Sequence, residues 1–331
     1  MRLVKDSGLI FKGHWFKGNL HSHTTYSDGK WTPEEAVQAY REKGYHFLAV
    51  TDHDQFRDHR DTLNSKQFIT LPGVEVSALL VNSSTMRVAK VHHMNAILGT
   101  SEMQAQASLP LFTHGQKIPP VVFADRWEGL NVAQKILDDL RFRGMIVTYN
   151  HPAWSRVESE EFVDLDGIWA YEVFNHGTEL ESNTGYDEIH LEMMLRKGKR
   201  LHAFASDDNH NHPDLDDAFG GYIVVSAPEL SHDAVINELI AGNYYSSSGA
   251  AINSWSVVSG KAIVECSRAH HITFYCGNHL NDGRTFFAHD TEKGLSYAEY
   301  ELKGHESYIR VVCTDFMGKK AWSNPIYLKE D

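Results

Sequence analysis

The chain is poor in cysteine, with three in 331 residues: Cys266, Cys276 and Cys313. An odd, sparse set confined to the last quarter does not look like the disulfide framework of a small secreted domain. Cys266 and Cys276 could face each other across a hairpin, but buried thiols are the preferred reading. None lies near the histidine motifs described below, which argues against thiolate ligation there. No apolar run approaches transmembrane length. The first residues, Met1 to Gly8, lack the apolar core of a signal peptide, so a soluble, cytoplasmic protein with no membrane partner is expected. Basic residues are also short, 31 Lys+Arg against 44 Asp+Glu, for a formal net charge of -13. A surface of that sign repels polyanions and disfavours extended nucleic acid as a partner. A carboxylate-rich pocket filled with divalent cations would invert the sign locally, so a small phosphorylated substrate stays open. No Gly-rich anion loop is evident, and no Ser or Cys is framed as a nucleophile.

Histidine, by contrast, is abundant, at 21 residues, which raises the expectation of metal or acid-base chemistry. With 42% hydrophobic residues the chain can bury a large core and fill more than one domain. From Gly18 to about Gly249, short apolar runs alternate with helical stretches. Strand-like runs are Phe47 to Thr51, Phe68 to Val76, Met145 to Tyr149, Ile168 to Phe174 and Leu201 to Ala205. Thr32-Pro33-Glu34-Glu35 reads as a capping box with Pro at the first helical position. Asn131, Asp187 and Ser231 are candidate caps for three further helices. Repeated strand-helix alternation argues for a parallel α/β core, and the number of units suits a closed barrel, in which chemistry gathers at the C-terminal strand ends. Residues 100–130, with Pro110, Pro119 and Pro120, break the rhythm and read as an insertion with little regular structure, a lid or a surface loop. After Gly249 only short β runs remain, separated by ordinary turn residues such as Gly277-Asn278-His279 and Asn281-Asp282-Gly283. This tail reads as a small all-β sandwich.

The chemistry-bearing residues follow the apolar runs. His21-Ser22-His23 closes the first, and the period-two alternation of a strand points both imidazoles the same way, with Asp28 on the loop beyond. His53 and Asp54 follow the second run, and Glu75 lies on the third. His92-His93 lie on the fourth, and His151 closes the fifth. Glu172 to His176 end the sixth, and Asp207-Asp208-Asn209-His210 end the seventh. Each alone is weak, since a single His is more often structural; the ordered set toward one rim is specific.

These motifs resemble the PHP domain (polymerase and histidinol phosphatase) superfamily over about residues 15–249. The tail, through Tyr308-Ile309-Arg310-Val311 and Ala321-Trp322-Ser323-Asn324-Pro325, is similar to the CehA/McbA-like metallohydrolase subgroup. The resemblance implies a distorted seven-stranded (β/α) barrel over 1–249, a β-sandwich over 250–331, and two or three divalent metal ions. It implies that His21, His23, Glu75 and Asp208 hold the first ion. Glu75 would bridge to a second held by the fourth-strand histidine and His151, and Asp28, His53 and His210 would hold a third. His93 is better framed than His92, and Asp208-Asn209-His210 fits the family's Asp-x-His better than a pattern using Asp207. Glu75, His53 and Asp208 are then the expected catalytic residues.

Nitrogen and oxygen donors without sulfur suit Zn, Mn or Fe. The leading expectation is metal-dependent hydrolysis of a small phosphate ester, with Arg156 and Arg57 as candidate substrate-binding cations. Trp154 and Tyr26 read as an apolar wall or as core. The alternatives are a carboxylic or carbamic ester hydrolase and, in another class, a metal-loaded binding or sensing module without turnover.

Overall fold

Strands buried on both faces need no alternation, and the apolar runs of the first 250 residues pair on that basis. The computed structural model describes residues 7–277 and 279–328; residues 1–6, most of the segment read for a signal peptide, and Asn278 lie outside them. Seven strands carry the candidate ligands: β1 (His14–Asn19), β2 (Phe47–Val50), β3 (Ile69–Asn82), β4 (Arg87–Leu98), β5 (Met145–Tyr149), β6 (Ala170–Asn175) and β7 (His202–Ser206). β1, β2 and β3 pair in parallel, as do β5, β6 and β7. β4 runs antiparallel to both β3 and β5. This corrects the all-parallel expectation. Asn82 and Arg87 close a tight hairpin, and so short a connection permits only antiparallel pairing. The exits of β7 and β1 meet in a parallel bridge between Ser22 and Asn209. There the His23 N–H donates to the Asn209 carbonyl at 3.1 Å and the Asp208 N–H to the His21 carbonyl at 3.0 Å.

Helices cover this sheet. α1 (Pro33–Glu42) begins at the expected capping box: Thr32 Oγ1 accepts from the Glu35 N–H at 3.2 Å, and Glu35 Oε2 accepts from the Thr32 N–H at 2.8 Å. Such a cap is worth about 1 kcal/mol, and the helix buries Ala36, Val37 and Tyr40. It is followed by α2 (Arg60–Leu63), α3 (Ser101–Ala105), α4 (Gly129–Phe142), α5 (His176–Ser182), α6 (Glu188–Arg196) and α7 (His232–Ile240). Asp187 and Ser231 cap α6 and α7. Asn131 does not cap α4, which starts at Gly129 and places Asn131 inside its first turn. No helix among the described residues is long and apolar enough to cross a membrane.

The 100–130 segment is more regular than its composition suggests. It contains α3 and a strand, Val121–Ala124, that pairs in parallel with β3. Phe112 and Ile118 pack on the core, and the Phe56 N–H donates to Gln116 while the Ile118 N–H donates to Asp54. Long-range pairing adds to what is local here, the Thr100 cap of α3 and the β-branched run Val121-Val122.

Beyond β7, β8 (Tyr222–Ala227) pairs with β1, and β9 (Tyr244–Ser247) pairs with β8. The tail forms β10 (Ile252–Val258), β11 (Lys261–Ala269), β12 (His271–Cys276), β13 (Arg284–Phe287), β14 (Leu295–Glu301), β15 (Tyr308–Thr314) and β16 (Lys320–Ser323). β10, β11 and β14 join Ser7–Gly8 in a separate four-stranded sheet, while β16 pairs with β9 and so continues the main sheet. Trp255, Val264, Ile272, Phe274 and Val311 share one apolar cluster between the two. Cys266 pairs opposite Ile252 and Cys276 opposite Ile309, so these two do not face each other across a hairpin; all three thiols are free. β15 and β16 grip α6: Tyr308 and the fully buried Arg310 both donate to Glu192, at 2.7 and 2.6 Å, and Trp322 donates to Glu188.

Candidate metal centre

Each ligand candidate reaches the same rim for a local reason. Gly29 lets the loop after β1 fold back on itself, because a Cβ there would collide with the His23 carbonyl. Asp52, fully buried, accepts from the Thr24 N–H at 2.7 Å and from Ser27 Oγ at 2.9 Å, which pins the loop carrying His23 and Asp28. Glu75 and His93 stand mid-strand on the β3–β4 hairpin, with His93 paired opposite Ser77. His151 (φ 28°) and Asp208 (φ 52°) leave β5 and β7 in left-handed backbone, which non-glycine residues rarely adopt and which costs of order 1–3 kcal/mol each.

The side chains converge into overlapping groups. His21, His23, Glu75 and Asp208 form one, His53, Glu75 and His93 a second, and His23, Asp28, His53 and His210 a third, each with ligand atoms within 4.8 Å of one another. His21 Nε2 lies 3.2 Å from Glu75 Oε1 and 3.1 Å from Asp208 Oδ1. His93 Nδ1 and His151 Nε2 each lie 3.3 Å from Glu75 Oε1. His210 Nε2 lies 3.4 Å from Asp28 Oδ1. His23 and His53 differ from the expectation in one respect: each offers one ring nitrogen to one group and the other nitrogen to a second.

The geometry separates the paired candidates. His92 points away, its Nδ1 2.7 Å from the Tyr149 hydroxyl and its ring stacked on Trp127. Asp207 also points away, accepting from the Tyr40 hydroxyl at 2.6 Å and from the N–H groups of Phe219 and Gly221 at 2.9 and 2.7 Å. Glu172, on β6, is a supporting residue that the sequence does not single out. Its Oε1 lies 2.9 Å from His21 Nδ1, and its Oε2 accepts from the His151 and Asn175 amides at 3.0 Å. A lone carboxylate on a strand carries no pattern that would reveal this.

Neither candidate arginine reaches the cavity. Arg57 stacks on the Tyr26 ring, 3.6 Å from its centroid, and Arg156 is exposed. The cavity above the clusters, about 360 Å³, is floored by Glu75, His93, His151, Asp208 and their neighbours and walled by Trp154, Thr178, Glu181 and Leu215. Residues 100–130 do not line it.

The electrostatics are those of a cation site. Burial alone would raise the Glu75 pKa, but the imidazoles of His21, His93 and His53 hold it well below the usual carboxylate range. Burial would lower His23, yet hydrogen bonding to Asp208 and Glu75 raises it to about 10. Burial lowers His93 and pushes His210 down to about 4. His21 Nε2, His53 Nδ1, His93 Nδ1 and Glu75 Oε2 are buried without a hydrogen-bond partner. Buried polar atoms are nearly always satisfied, and atoms that face one another without hydrogen-bond geometry fit a cation between them. The all-nitrogen-and-oxygen donor set fits divalent ions.

Residues 19–269, well over half the chain, match the PHP domain family. The chain belongs to that family. This PHP protein is 32% identical over 92 residues to the DNA polymerase/3'-5' exonuclease PolX of Bacillus subtilis, a match covering 28% of the chain and 16% of the polymerase. It thus spans about a sixth of that relative. Among solved structures it is similar to a two-domain protein from Bacteroides vulgatus containing a predicted PHP-like metal-dependent phosphoesterase, at 14% identity and a TM-score of 0.45, covering 94% of this chain and 95% of that one. It is also similar to an amidohydrolase from Chromobacterium violaceum with bound sulfate and no metal, at 15% identity and a TM-score of 0.38, covering 60% of this chain and 89% of that one.

Proposed function

We propose that this PHP protein is a metal-dependent phosphoesterase that hydrolyses a small phosphate ester at a centre of two or three divalent ions, Zn, Mn or Fe. The observation that carries the reading is the convergence of His21, His23, Asp28, His53, Glu75, His93, His151, Asp208 and His210 beneath one cavity. We further read β1–β7, joined at Ser22 and Asn209, as the distorted seven-stranded barrel of a 1–249 domain, and the tail from 250 as a β-sandwich of the CehA/McbA-like kind.

When bound, divalent ions at such a site supply Lewis acidity and lower the pKa of coordinated water toward ~7. The chain's own residues do the positioning. Glu75 and Asp208 touch more than one group through their carboxylate oxygens, and His53 spans two with its ring nitrogens. These three are therefore the residues to which we assign catalysis. Glu172 behind His21, and Ser155 Oγ 3.1 Å from His151 Nδ1, fix ring orientation and tautomer. Trp154 and Leu215 give the cavity its large apolar lining.

A second reading, a carboxylic or carbamic ester hydrolase, is favoured by one observation: among the described residues no Lys or Arg lines the cavity. The two separate in a paired assay of p-nitrophenyl phosphate and p-nitrophenyl acetate on one metal-reconstituted preparation, with a chelator arm and a His23→Ala control. Phosphate release abolished by chelator and by the substitution supports the phosphoesterase. Acetate cleavage alone, lost on chelation, replaces it with the carboxyl-ester reading. Silence on both sinks the two and leaves the binding module.

A further inference from the structure

Beyond its ligand floor the cavity is lined by an apolar pair, an acidic pair, Thr178 and the His212 imidazole. Trp154, on the loop after β5, holds its indole against the floor: its ring lies edge-on to His151, centroids 5.3 Å apart, and nearly parallel to His93 at 6.3 Å. The Trp154 Nε1–H donates to Glu181 Oε2 at 2.8 Å, which fixes the indole from α5. Leu215 adds the other apolar side chain beyond the floor. The carboxylates are Glu181 and Asp217. Asp217 is committed to its own loop, accepting from the His210 N–H at 2.7 Å and the Asn211 N–H at 3.0 Å. Glu181 is exposed at the cavity wall and carries its charge beside the indole.

A phosphoryl group entering this cavity would meet its opposite charge only at the floor. A second anionic group on the same molecule would meet no ammonium or guanidinium on the lining, and would approach Glu181. A flat uncharged group meets an indole whose plane is already set, so its stacking costs little further ordering. We propose that Trp154 and Glu181 determine specificity, selecting phosphate esters whose leaving group is flat and uncharged and rejecting those that carry a second anion. This rests on the phosphoesterase reading and names the substrate class of that site. Trp154 supplies the attractive element and Glu181 the repulsive one, the two halves of a discriminating site.

The test pairs binding with turnover on the metal-loaded, full-length protein. Binding is measured by calorimetry with two non-hydrolysable probes, phenylphosphonate and 4-carboxyphenylphosphonate. Turnover is measured with phenyl phosphate, 4-carboxyphenyl phosphate and glycerol phosphate. The wild type is expected to prefer the uncharged ring over its carboxylated twin by about tenfold in both Kd and kcat/KM, the effect of one unfavourable charge contact. Glu181→Gln, which keeps an acceptor for the indole, should shrink that ratio to within about threefold. Trp154→Leu should shrink the phenyl-to-glycerol ratio while the carboxylate discrimination persists. Ratios are the readout because general damage lowers both members of a pair alike. Equal binding of the two phosphonates by the wild type, or an unchanged ratio in Glu181→Gln, overturns the proposal. Discrimination in binding with no turnover of any phosphate overturns the phosphoesterase reading and leaves the recognition by Trp154 and Glu181 standing.

Discussion

Glu172 Oε1 lies 2.9 Å from Nδ1 of His21, while Nε2 of the same ring faces Glu75 and Asp208. A carboxylate behind an imidazole fixes which nitrogen carries the proton and leaves the other lone pair for a cation. Glu172→Gln is therefore expected to lower metal affinity by roughly 10–100-fold with little change in fold. Competition against a chromophoric chelator reads the affinity and circular dichroism reads the fold; unchanged affinity would remove Glu172 from the centre.

His93→Ala and His92→Ala should part company. Elemental analysis after dialysis is expected to show metal lost from His93→Ala and retained by His92→Ala. Burial pushes His92 down to about 4, so it sits neutral between Tyr149 and Trp127. Its loss leaves the Tyr149 hydroxyl without its partner and should cost about 1–3 kcal/mol, seen as a lower Tm. The reverse pattern would exchange their roles.

Metal loading should release protons and raise stability. His21 and His151, like His23, are raised: burial opposes this, but the surrounding carboxylates prevail. At pH 7 the metal-free cluster holds protons that a cation must displace, so affinity falls as pH falls. Calorimetry in buffers of different ionisation heat should show net proton release. The sign for the metal-free protein follows from His23. Its stabilising contribution is complete below its unfolded value of 6.5 and is lost as pH rises through about 10. An ion at a thousandfold excess over its Kd should add about 4 kcal/mol, and a chelator should lower the Tm by about 6 °C. An unchanged Tm on chelation would contradict a bound ion.

Asp207 makes a separate pH prediction. Burial pushes its pKa up to about 7, although Tyr40 and the N–H groups of Gly221 and Phe219 pull the other way. Its contribution to stability is complete below the unfolded value of 3.8 and is lost as pH rises through about 7. The stability of Asp207→Asn relative to wild type should therefore climb between about pH 4 and pH 8. Denaturant titrations across that range test it, and a flat difference would show that the carboxylate stays ionised.

Ligand candidates were legible where an apolar run and a metal-type side chain adjoin, as at Met145–His151 and His202–His210, because strand period and donor chemistry are both local. The hairpin of β3 and β4 was not legible. Its turn through Ser83, Ser84 and Thr85 lacks the Asn-Gly signal, and β4 starts with the exposed run Arg87-Val88-Ala89. The 100–130 segment is hard to read from sequence for a related reason: much of its order comes from pairing with residues some forty to seventy positions earlier in the chain. Arg57 illustrates the limit for charge, since proximity in sequence to His53 said nothing about Tyr26, on which its guanidinium rests.

The bridge at Ser22 and Asn209 joins the first and last strands of the seven by very few bonds, and both amides in it, those of His23 and Asp208, belong to candidate ligands. A cation held by those side chains would act as the buckle of a belt, fastening strands whose sequence positions lie nearly two hundred residues apart. Filling the centre would then tighten the closure of a chain already folded, and the amount of sound protein a cell accumulates would rise with its metal supply.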